Sequence, residues 1–590
     1  MGRCFTLVAI AVTLASPLLA VQPRVLHTLE PVLVTANPWY VPAARLGFKS
    51  QSITQEAIQE TGALEIGDVM NTLTNSDAVD SGHQNSIFIR GLPSRFSKVL
   101  VNGMDMKDPI DPNGSPFWDG LNLGTIDGIQ YVEGSQGALV GASAVTGVLN
   151  FLSAPTGFES TIKAADRYYS AGIKTGHSVG NWLWSLAINR DSDKRYSSTT
   201  ASSTPDIDDY FANNVFARLA WDDAHFHFAT QALIIDSQAL LDSYGSDSIL
   251  KTNSRRYGTE LEWQSTPLEK LGIRYNLGTV RREDILSPTI YTADLHTIDS
   301  FAQWTIGNTI ALIGIDYQIE NGQNTGGYSQ TQFRTQNTAS IYSGATHQLG
   351  NWTLNESFRI NSDYRSRIGL VGGIGITVSL NNTLAIRSNI NSGVRTASLY
   401  ENANTVTDLS PENATSTDLG IWGDFGWIKG HVSGYYSAIS DRIKDKYPQP
   451  DYNLTYVNLS GVSTVKGVEI GTEIPGVIRV SYTRTNTDTA SLGEDARVPR
   501  FKWIASTGYT LGPIALSAQF QSVGLRRDTL YSNTQLSEYA LTDVTAKYTG
   551  IANWIPFTSV TNVFDEKYVQ AGGYTTPGRT FILGLTYRVD

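Results

Sequence analysis

Alternation of apolar and polar residues dominates the chain from Thr156 onward, in runs of about ten residues. The stretch Asn181–Asn189, for example, places Trp182, Trp184 and Ile188 on one face of a strand. A period of two indicates β-strands with one apolar and one polar face. Long strands of this kind, with aromatic residues near their ends, are typical of a transmembrane β-barrel.

The length of the alternating region predicts the size of the barrel. Residues 156–590 leave about 20 residues for each strand and its connection if the barrel has 22 strands. A soluble β-sandwich would have shorter strands, of about 5–6 residues, and no repeat of about 40–50 residues suggests a propeller. We therefore predict a membrane all-β protein, a 22-stranded antiparallel transmembrane β-barrel over residues 156–590. Barrels of this size carry a plug.

A small α+β domain precedes the barrel. Residues 54–74 show helical spacing of apolar residues, and short apolar strands follow at 86–91 and 98–103. Small residues fill most of 134–147, so the backbone there can pack closely against a wall. The sequence predicts a plug domain over residues 41–155 that fills the barrel lumen.

The N-terminus resembles an export signal. Arg3 precedes the apolar stretch 5–19, and Ala20 stands at the predicted cleavage position, so residues 1–20 are predicted to be a signal peptide. Cys4, the single cysteine, lies within it. The exported chain would therefore contain no disulfide and no thiol chemistry.

Composition excludes several classes of function. Lys and Arg number 44 against 55 Asp and Glu, giving a net charge of −11 and a pI near 5.3, so nucleic acid is not expected as a partner. The eight histidines show no metal-ligand spacing, and no nucleophile elbow or phosphate loop is present. We expect a protein that is not an enzyme and that requires no cofactor.

Several separated motifs, in the right order, resemble those of the TonB-dependent outer-membrane receptors. The matching segments are Val32-Leu-Val-Thr-Ala36, Ile89-Arg-Gly91, Val99–Gly103, Asp108-Pro109, Tyr131–Phe151, Val394–Glu401, Leu409–Glu412, Asp418-Leu-Gly420, Val465–Glu469, Asn562–Tyr568 and Gly578-Arg579. Within the family, the short barrel, the form of Val34–Asn37 and the run Ser86–Gly91 most resemble the vitamin B12 (cobalamin) receptors.

This resemblance implies an energised transporter. Residues 21–40 would form a periplasmic tether that carries the TonB box, composed of Val32, Leu33, Val34, Thr35 and Ala36. An extended segment of this kind can add as a strand to a sheet of TonB, which works with ExbB and ExbD. The expected function is active transport of a large, scarce nutrient, with cobalamin as the first candidate. The protein is expected to be a monomer surrounded by lipid in the outer membrane of a Gram-negative bacterium.

Alternatives remain open at this stage. The cargo could be a ferric siderophore or haem, with His83 as the haem ligand to test. A passive outer-membrane channel and a secreted soluble adhesive β-protein belong to other functional classes. Binding assays, deletion of the TonB box and cell fractionation distinguish among them.

Outward-facing plug loops are the predicted cargo-binding surface. Their hydrogen-bonding and aromatic residues are Gly82, His83, Gln84, Asn85, Asn113, Phe117 and Trp118.

Two further predictions concern charged residues. Arg90 is expected between plug and barrel wall, with Glu133 as its nearest partner and Glu260 and Glu262 as candidates on the barrel. This pairing can be purely structural or part of gating. Ser135 and Gly137 depart from the Pro and Ser that the family usually has there, which predicts a looser fit of the plug at these positions.

An acidic cluster in a predicted external loop suggests a cation site. Asp206, Asp208 and Asp209 crowd hard oxygen ligands that suit calcium, as in a comparable loop of the vitamin B12 receptors. Two interpretations stay open here: a calcium site that orders the loop, or an acidic loop in solvent.

Overall fold

A computed structural model describes most of the chain after residue 48. The described residues are 49–81, 85–118, 120–194, 208–243, 246–266, 269–286, 288–326, 331–365, 367–446, 454–490, 492–530 and 532–589. The predicted signal peptide (residues 1–20), tether (residues 21–40) and TonB box lie outside them. The structure has two parts, a small mixed α/β plug and a large barrel that surrounds it.

Short elements build the plug. Its helices are α1 (Gln55–Glu60), α2 (Ile66–Met70) and α3 (Gly137–Val140), and its strands are β1 (Ser50–Thr54), β2 (Ser76–Asp80), β3 (Asn85–Ile89), β4 (Leu92–Pro93), β5 (Ser97–Val101), β6 (Met104–Asp105), β7 (Gly128–Glu133) and β8 (Gly147–Leu152). Thr54 caps α1 by accepting a hydrogen bond from the backbone of Ala57. None of the helices that the structure describes is long and apolar enough to cross a membrane.

The plug folds around a five-stranded sheet in the order β1-β7-β8-β5-β6. Strands β5 and β8 are parallel, and the other neighbours are antiparallel. Side chains such as Val69, Ile89, Ile129 and Phe151 form its fully buried core. A second sheet, β2-β3-β4, lies beside it and carries the chain to the barrel wall.

The barrel contains 22 spanning strands, and five short strands belong to its loops among the residues that the structure describes. The spanning strands are β9 (Gly157–Ala165), β10 (Tyr168–Val179), β11 (Trp182–Asp193), β12 (Tyr210–Asp222), β13 (Phe226–Ser243), β14 (Ser246–Thr266), β15 (Glu269–Asp284), β16 (Thr289–Ile306), β17 (Thr309–Gly326), β19 (Gln336–Leu349), β20 (Trp352–Asp363), β21 (Ile368–Ser379), β22 (Leu384–Arg395), β23 (Glu412–Asp424), β24 (Lys429–Ser440), β27 (Val462–Ile474), β28 (Ile478–Asp488), β29 (Phe501–Leu511), β30 (Ile514–Val523), β33 (Tyr539–Tyr548), β34 (Trp554–Thr561) and β35 (Thr580–Val589). The loop elements are β18 (Thr331–Gln332), β25 (Ile443–Lys446), β26 (Thr455–Asn458), β31 (Arg526–Arg527), β32 (Gln535–Leu536) and helix α4 (Leu399–Ala403).

Each spanning strand pairs antiparallel with its neighbours, and β35 closes the barrel on β9. Connections at one end of the barrel are short turns, such as residues 180–181 and 307–308. The longest connections lie at the other end, such as residues 396–411 and 441–461. Short turns mark the periplasmic end of such barrels and long loops the external end. The predicted fold class, a 22-stranded antiparallel barrel with an N-terminal plug, is confirmed.

The outer surface has the composition of a lipid-facing band. On β21, Leu370 and Ile374 point outward and are exposed, whereas Val371 faces the lumen and is buried. Large exposed tryptophans lie beside the short turns, namely Trp182, Trp263, Trp352, Trp427 and Trp554. Aromatic residues are typical of the membrane interface, so this ring marks the periplasmic edge of the band.

Candidate functional site

A tight turn brings the plug to the barrel wall. Strand β3 ends at Ile89, and Arg90 and Gly91 both adopt positive φ angles, 50° and 76°, before the chain continues into β4. A Cβ atom on Gly91 would lie 2.8 Å from a methyl carbon of Thr485 on β28. Only glycine allows this approach without displacing the wall, so the turn fixes Arg90 against the barrel.

Arg90 contacts three carboxylates at once. Its Nη2 donates to Oε2 of Glu133 at 3.0 Å, its Nη1 to Oδ1 of Asp418 at 2.7 Å, and its Nε to Oε1 of Glu469 at 3.0 Å. Glu133 belongs to the plug, whereas Asp418 and Glu469 lie on barrel strands β23 and β27. The guanidinium also lies 4.7 Å from the ring centre of Tyr435. One side chain therefore ties the plug to two strands of the wall.

Lys49 completes the cluster, which we call the Arg90 junction: Lys49, Arg90, Glu133, Asp418 and Glu469. Nζ of Lys49 lies 2.9 Å from Oε1 of Glu133 and 3.1 Å from Oε2 of Glu469. Burial would lower the pKa of Arg90, but the three carboxylates outweigh it and raise that pKa well above its ordinary value. Burial and the charge of Glu469 raise the pKa of Glu133. Two cations and three carboxylates thus share a nearly dry site whose members depend on one another.

The structure places the Arg90–Glu133 contact where the sequence suggested it, but the expected barrel partners were wrong. Glu260 pairs with Arg274 at 2.7 Å, and Glu262 pairs with Arg274 at 3.1 Å, within the barrel wall. Alternation alone identifies lumen-facing carboxylates without saying which of them lies beside the plug. The sequence did contain a signal for the true barrel partners, because Asp418 and Glu469 both belong to motifs that the chain shares with the family.

A second junction lies at the external end of the barrel. Arg395, at the end of β22, donates from Nη1 and Nη2 to the two carboxylate oxygens of Glu401, both at 3.0 Å, and also contacts Glu412. All three residues are buried. Ser398 and Glu401 form a capping box that starts α4. This arrangement explains why the Val394–Glu401 and Leu409–Glu412 motifs occur together.

Helix α4 and its neighbours hold the plug loop that follows β6. The backbone of Leu399 donates to Pro109 O at 2.9 Å, and Ser398 Oγ donates to Asp111 O at 3.2 Å. Tyr456 OH donates to Pro112 O at 2.7 Å. The loop that was predicted to face the cargo is therefore attached to two external barrel loops.

The structure describes only some of the predicted cargo-binding residues. Gly82, His83 and Gln84 lie outside the described residues, and Asn85 begins β3. Asn113 is exposed at the tip of the plug loop.

The prediction that Phe117 and Trp118 face the cargo was wrong. Phe117 is 3% exposed and Trp118 is 5% exposed, because both pack into the plug core. Trp118 contacts Phe151 edge to face, and its Nε1 donates to Ser94 Oγ at 3.0 Å. Aromatic residues beside a turn look like a binding surface in the sequence, but here they fasten the loop to the core.

The calcium site stays a prediction. Asp206 lies outside the described residues, Asp208 is buried, and Asp209 forms an ion pair with Lys194 at 2.7 Å. Among the described residues, no group of three or more His, Cys, Asp or Glu side chains is placed to hold a metal ion.

The expectation of a loose fit at Ser135 and Gly137 was wrong. Ser135 Oγ donates to Ser392 O of the barrel at 2.9 Å. A Cβ on Gly137 would lie 3.1 Å from the Cα of Gly393, so two backbones meet there without side chains between them. The small residues allow close contact with the wall rather than slack.

Family models match both parts of the chain. A family model described as the TonB-dependent receptor plug domain matches residues 43–148, and one described as TonB dependent receptor-like, beta-barrel, matches residues 142–563.

Relatives and solved structures extend over nearly the whole chain. The vitamin B12 transporter BtuB of Vibrio cholerae is 24% identical, covering 98% of this chain and 99% of its own. The FrpB iron transporter from Neisseria meningitidis has a TM-score of 0.79 at 14% identity, covering 92% of this chain and 99% of its own. The ferric enterobactin receptor PfeA from Pseudomonas aeruginosa has a TM-score of 0.77 at 14% identity, covering 92% of this chain and 98% of its own. The chain belongs to the TonB-dependent receptor family, the outer-membrane transporters of Gram-negative bacteria, which are not enzymes.

Proposed function

We propose that this protein imports cobalamin across the outer membrane, driven through TonB and its partners ExbB and ExbD. The observation that carries the choice of cargo is the 24% identity to vitamin B12 transporters over 98% of the chain. The iron receptors share the fold at 14% identity, which reports architecture rather than cargo. The sequence of the plug strand Ser86–Gly91 favours the same choice.

The Arg90 junction supports an energised mechanism. Lys49, the first described residue after the proposed TonB box, contacts Glu133 and Glu469 of the junction. A pull on residues 32–36 therefore reaches the ionic contact between plug and wall before it reaches the plug core. Each ion that leaves the junction gains water, which offsets part of the lost pairing. The same contacts that hold the resting plug can thus be broken by a directed force.

A ferric siderophore or haem is the second candidate cargo. The FrpB iron transporter and the ferric enterobactin receptor PfeA have the same fold, so the architecture is compatible with this cargo as well as with cobalamin. His83, the haem ligand to test, lies outside the described residues. A passive channel is less well supported, because the plug occupies the lumen and contacts the wall at the Arg90 junction and at helix α4.

Uptake of radiolabelled cyanocobalamin by cells that depend on this protein tests the proposal. We expect uptake that requires TonB and that is lost when residues 32–36 are deleted. A matched deletion in the tether, residues 22–26, should leave uptake intact. Binding of haemin or a ferric siderophore without binding of cyanocobalamin would replace the cargo, and uptake that survives loss of the box would contradict energy coupling.

A further inference from the structure

Two exposed cations lie next to each other on the lipid-facing side of the barrel. Lys466 on β27 and Arg484 on β28 point away from the lumen, on the face opposite to buried residues such as Glu469. The register pairs Lys466 with Asn486 and Val468 with Arg484, so the two cations are diagonal neighbours. Diagonal neighbours lie roughly 7–8 Å apart, within reach of long side chains. Both side chains can therefore contact one small anion.

These two cations differ from other lipid-facing cations in having no anionic partner. Arg190 on β11 donates to Asn213 Oδ1 at 3.0 Å, and Arg281 on β15 pairs with Glu283 at 3.1 Å. Among the described residues of β27 and β28, the one carboxylate on the outward face is Asp488 at the external end of β28, and it forms no ion pair with either cation. The outward face of this strand pair thus carries a charge that the protein does not neutralise.

The height of the two cations on the barrel places them near the external edge of the membrane. Lys466 lies eight positions from Ile474, the periplasmic end of β27, which is about 26 Å along the strand and about 20 Å along the barrel axis after allowing for tilt. Arg484 lies six positions from Ile478, or about 15 Å along the axis. The lipid-facing band is about 25 Å tall, and long basic side chains extend toward the nearer interface. Both charges therefore reach the external headgroup region.

Aromatic side chains surround the pair at the same height. Tyr436 lies opposite Lys466 on the neighbouring strand β24, and Phe501 lies opposite Arg484 on β29. Tyr482 and Trp503, one outward position nearer the periplasm, have ring centres 4.5 Å apart. Aromatic residues concentrate where the hydrocarbon of a membrane meets its headgroups. Their presence supports the position of the two cations at the external interface.

Phosphate fits this arrangement better than other anions of a membrane. A guanidinium binds two phosphate oxygens at once, an ammonium adds a point charge, and the amide of Asn486 supplies a further donor. The external leaflet of an outer membrane presents phosphates on its glycolipid. A protein partner would cover about 800 Å² of the barrel, whereas this polar patch is only three side chains wide.

We propose that Lys466, Arg484 and Asn486 bind a phosphate group of the glycolipid in the external leaflet, the lipid A part of lipopolysaccharide. The site holds a structural lipid on the outside of the barrel, against β27 and β28. It is separate from the cargo and does not depend on which cargo the protein carries.

Native mass spectrometry of the purified protein in detergent tests lipid binding. Lipid A carrying two phosphates is added to the parent protein and to the double variant Lys466→Gln with Arg484→Gln. We expect at least 5-fold less bound lipid in the double variant, and no difference for lipid A from which the phosphates have been removed. Equal binding of lipid A by the parent and the double variant would overturn the proposal, as would a parent that binds the dephosphorylated lipid equally well.

Two further variants separate the site from general effects of charge or folding. Arg190→Gln with Arg281→Gln also removes two lipid-facing positive charges, but these lie on β11 and β15, too far apart to share one phosphate. This control should bind lipid A as the parent does, and a loss equal to that of the first variant would reduce the effect to net charge. Lys466→Arg with Arg484→Lys keeps both charges and should retain binding, and a loss there would contradict a phosphate site.

Photocrosslinking in living cells tests the same site in its own membrane. Asn486→p-benzoylphenylalanine should give adducts with lipopolysaccharide, which fall at least 5-fold when Lys466→Gln and Arg484→Gln are added. The same photoreactive residue at the exposed, lipid-facing Leu370 on β21 reports ordinary lipid contact and should not respond to these substitutions. Adducts at position 486 with a protein instead of lipopolysaccharide would overturn the proposal in favour of a protein partner.

Discussion

The two sides of the plug are held in different ways. Toward β23–β29, buried ions join plug and wall: Arg90 contacts Asp418 and Glu469, and Lys502 reaches the plug between α2 and β2. Toward β13–β20, a cavity of about 790 Å³ intervenes, and among the described residues the ion pairs that cross it are Lys107–Glu320 and Asp108–Arg282. A plug built in this way is fixed on one side and can yield on the other. Close packing all around would resist a pull equally everywhere.

Removing Arg90 should loosen the side of the plug that faces β23–β29 more than any other single substitution proposed below. Arg90→Met leaves three buried carboxylates with Lys49 as their remaining cation, and breaking a buried ion cluster from one side costs about 3–5 kcal/mol. We expect faster hydrogen exchange in β3 and β7 and a lower unfolding temperature of the plug. Arg359→Met is the matched control, since Arg359 and its partner Asp316 both lie on the barrel.

Arg90→Lys should restore little of the lost stability, because an ammonium group cannot reach three carboxylates in the geometry of the guanidinium fork. Plug exchange rates that match those of the parent protein in Arg90→Met would show that the junction does not hold the plug.

Lys502→Met should loosen the same side to a smaller extent. Lys502 Nζ lies 3.1 Å from Oδ1 of Asp77 and donates to Leu73 O at 3.3 Å. The loss leaves these acceptors buried, which costs about 1–3 kcal/mol. Hydrogen exchange should rise in residues 73–77 and remain unchanged near the cavity, in residues 98–105. A rise in both segments would refute the separation of the two sides.

The attachment of the plug loop at the external end of the barrel should weaken as the pH rises. Burial raises the pKa of Asp111 to about 6, against the lowering effect of Arg282. The folded protein therefore holds this proton more tightly than the unfolded chain, whose ordinary value is 3.8. The contribution to stability is complete below about pH 4 and is lost as the pH rises through about 6. Protease resistance of the loop at residues 107–118 should fall over this range, and Asp111→Asn should remove the pH dependence.

Much of this molecule was predictable from the pattern of its residues. The alternation of apolar and polar residues along single strands predicted the barrel, because one face of each strand contacts lipid and the other faces the lumen. Arg90 stood out because it belongs to the segment Ile89-Arg-Gly91, which resembles a plug motif of the family, and because a guanidinium group can bind several carboxylates. Its barrel partners Asp418 and Glu469 also lie in motifs shared with the family, but their contact with Arg90 was not predicted. They are separated from it by more than 300 residues and meet it only when the barrel closes.

The burial of Phe117 and Trp118 was equally hidden, since whether an aromatic residue beside a turn faces solvent or core depends on tertiary packing. The cavity also had no sequence signature. It is a gap between two surfaces rather than a property of either one, and its lining comes from both the plug and the barrel.

Pulling on the N-terminus of the reconstituted protein tests the central claim most directly. A single-molecule force probe attached ahead of Lys49 loads the plug in the direction in which TonB would act. We predict that the first rupture releases the Arg90 junction, and that Arg90→Met lowers this first rupture force while Arg359→Met leaves it unchanged. An identical first rupture force in the parent protein and Arg90→Met would contradict the claim that this side of the plug is held by the junction.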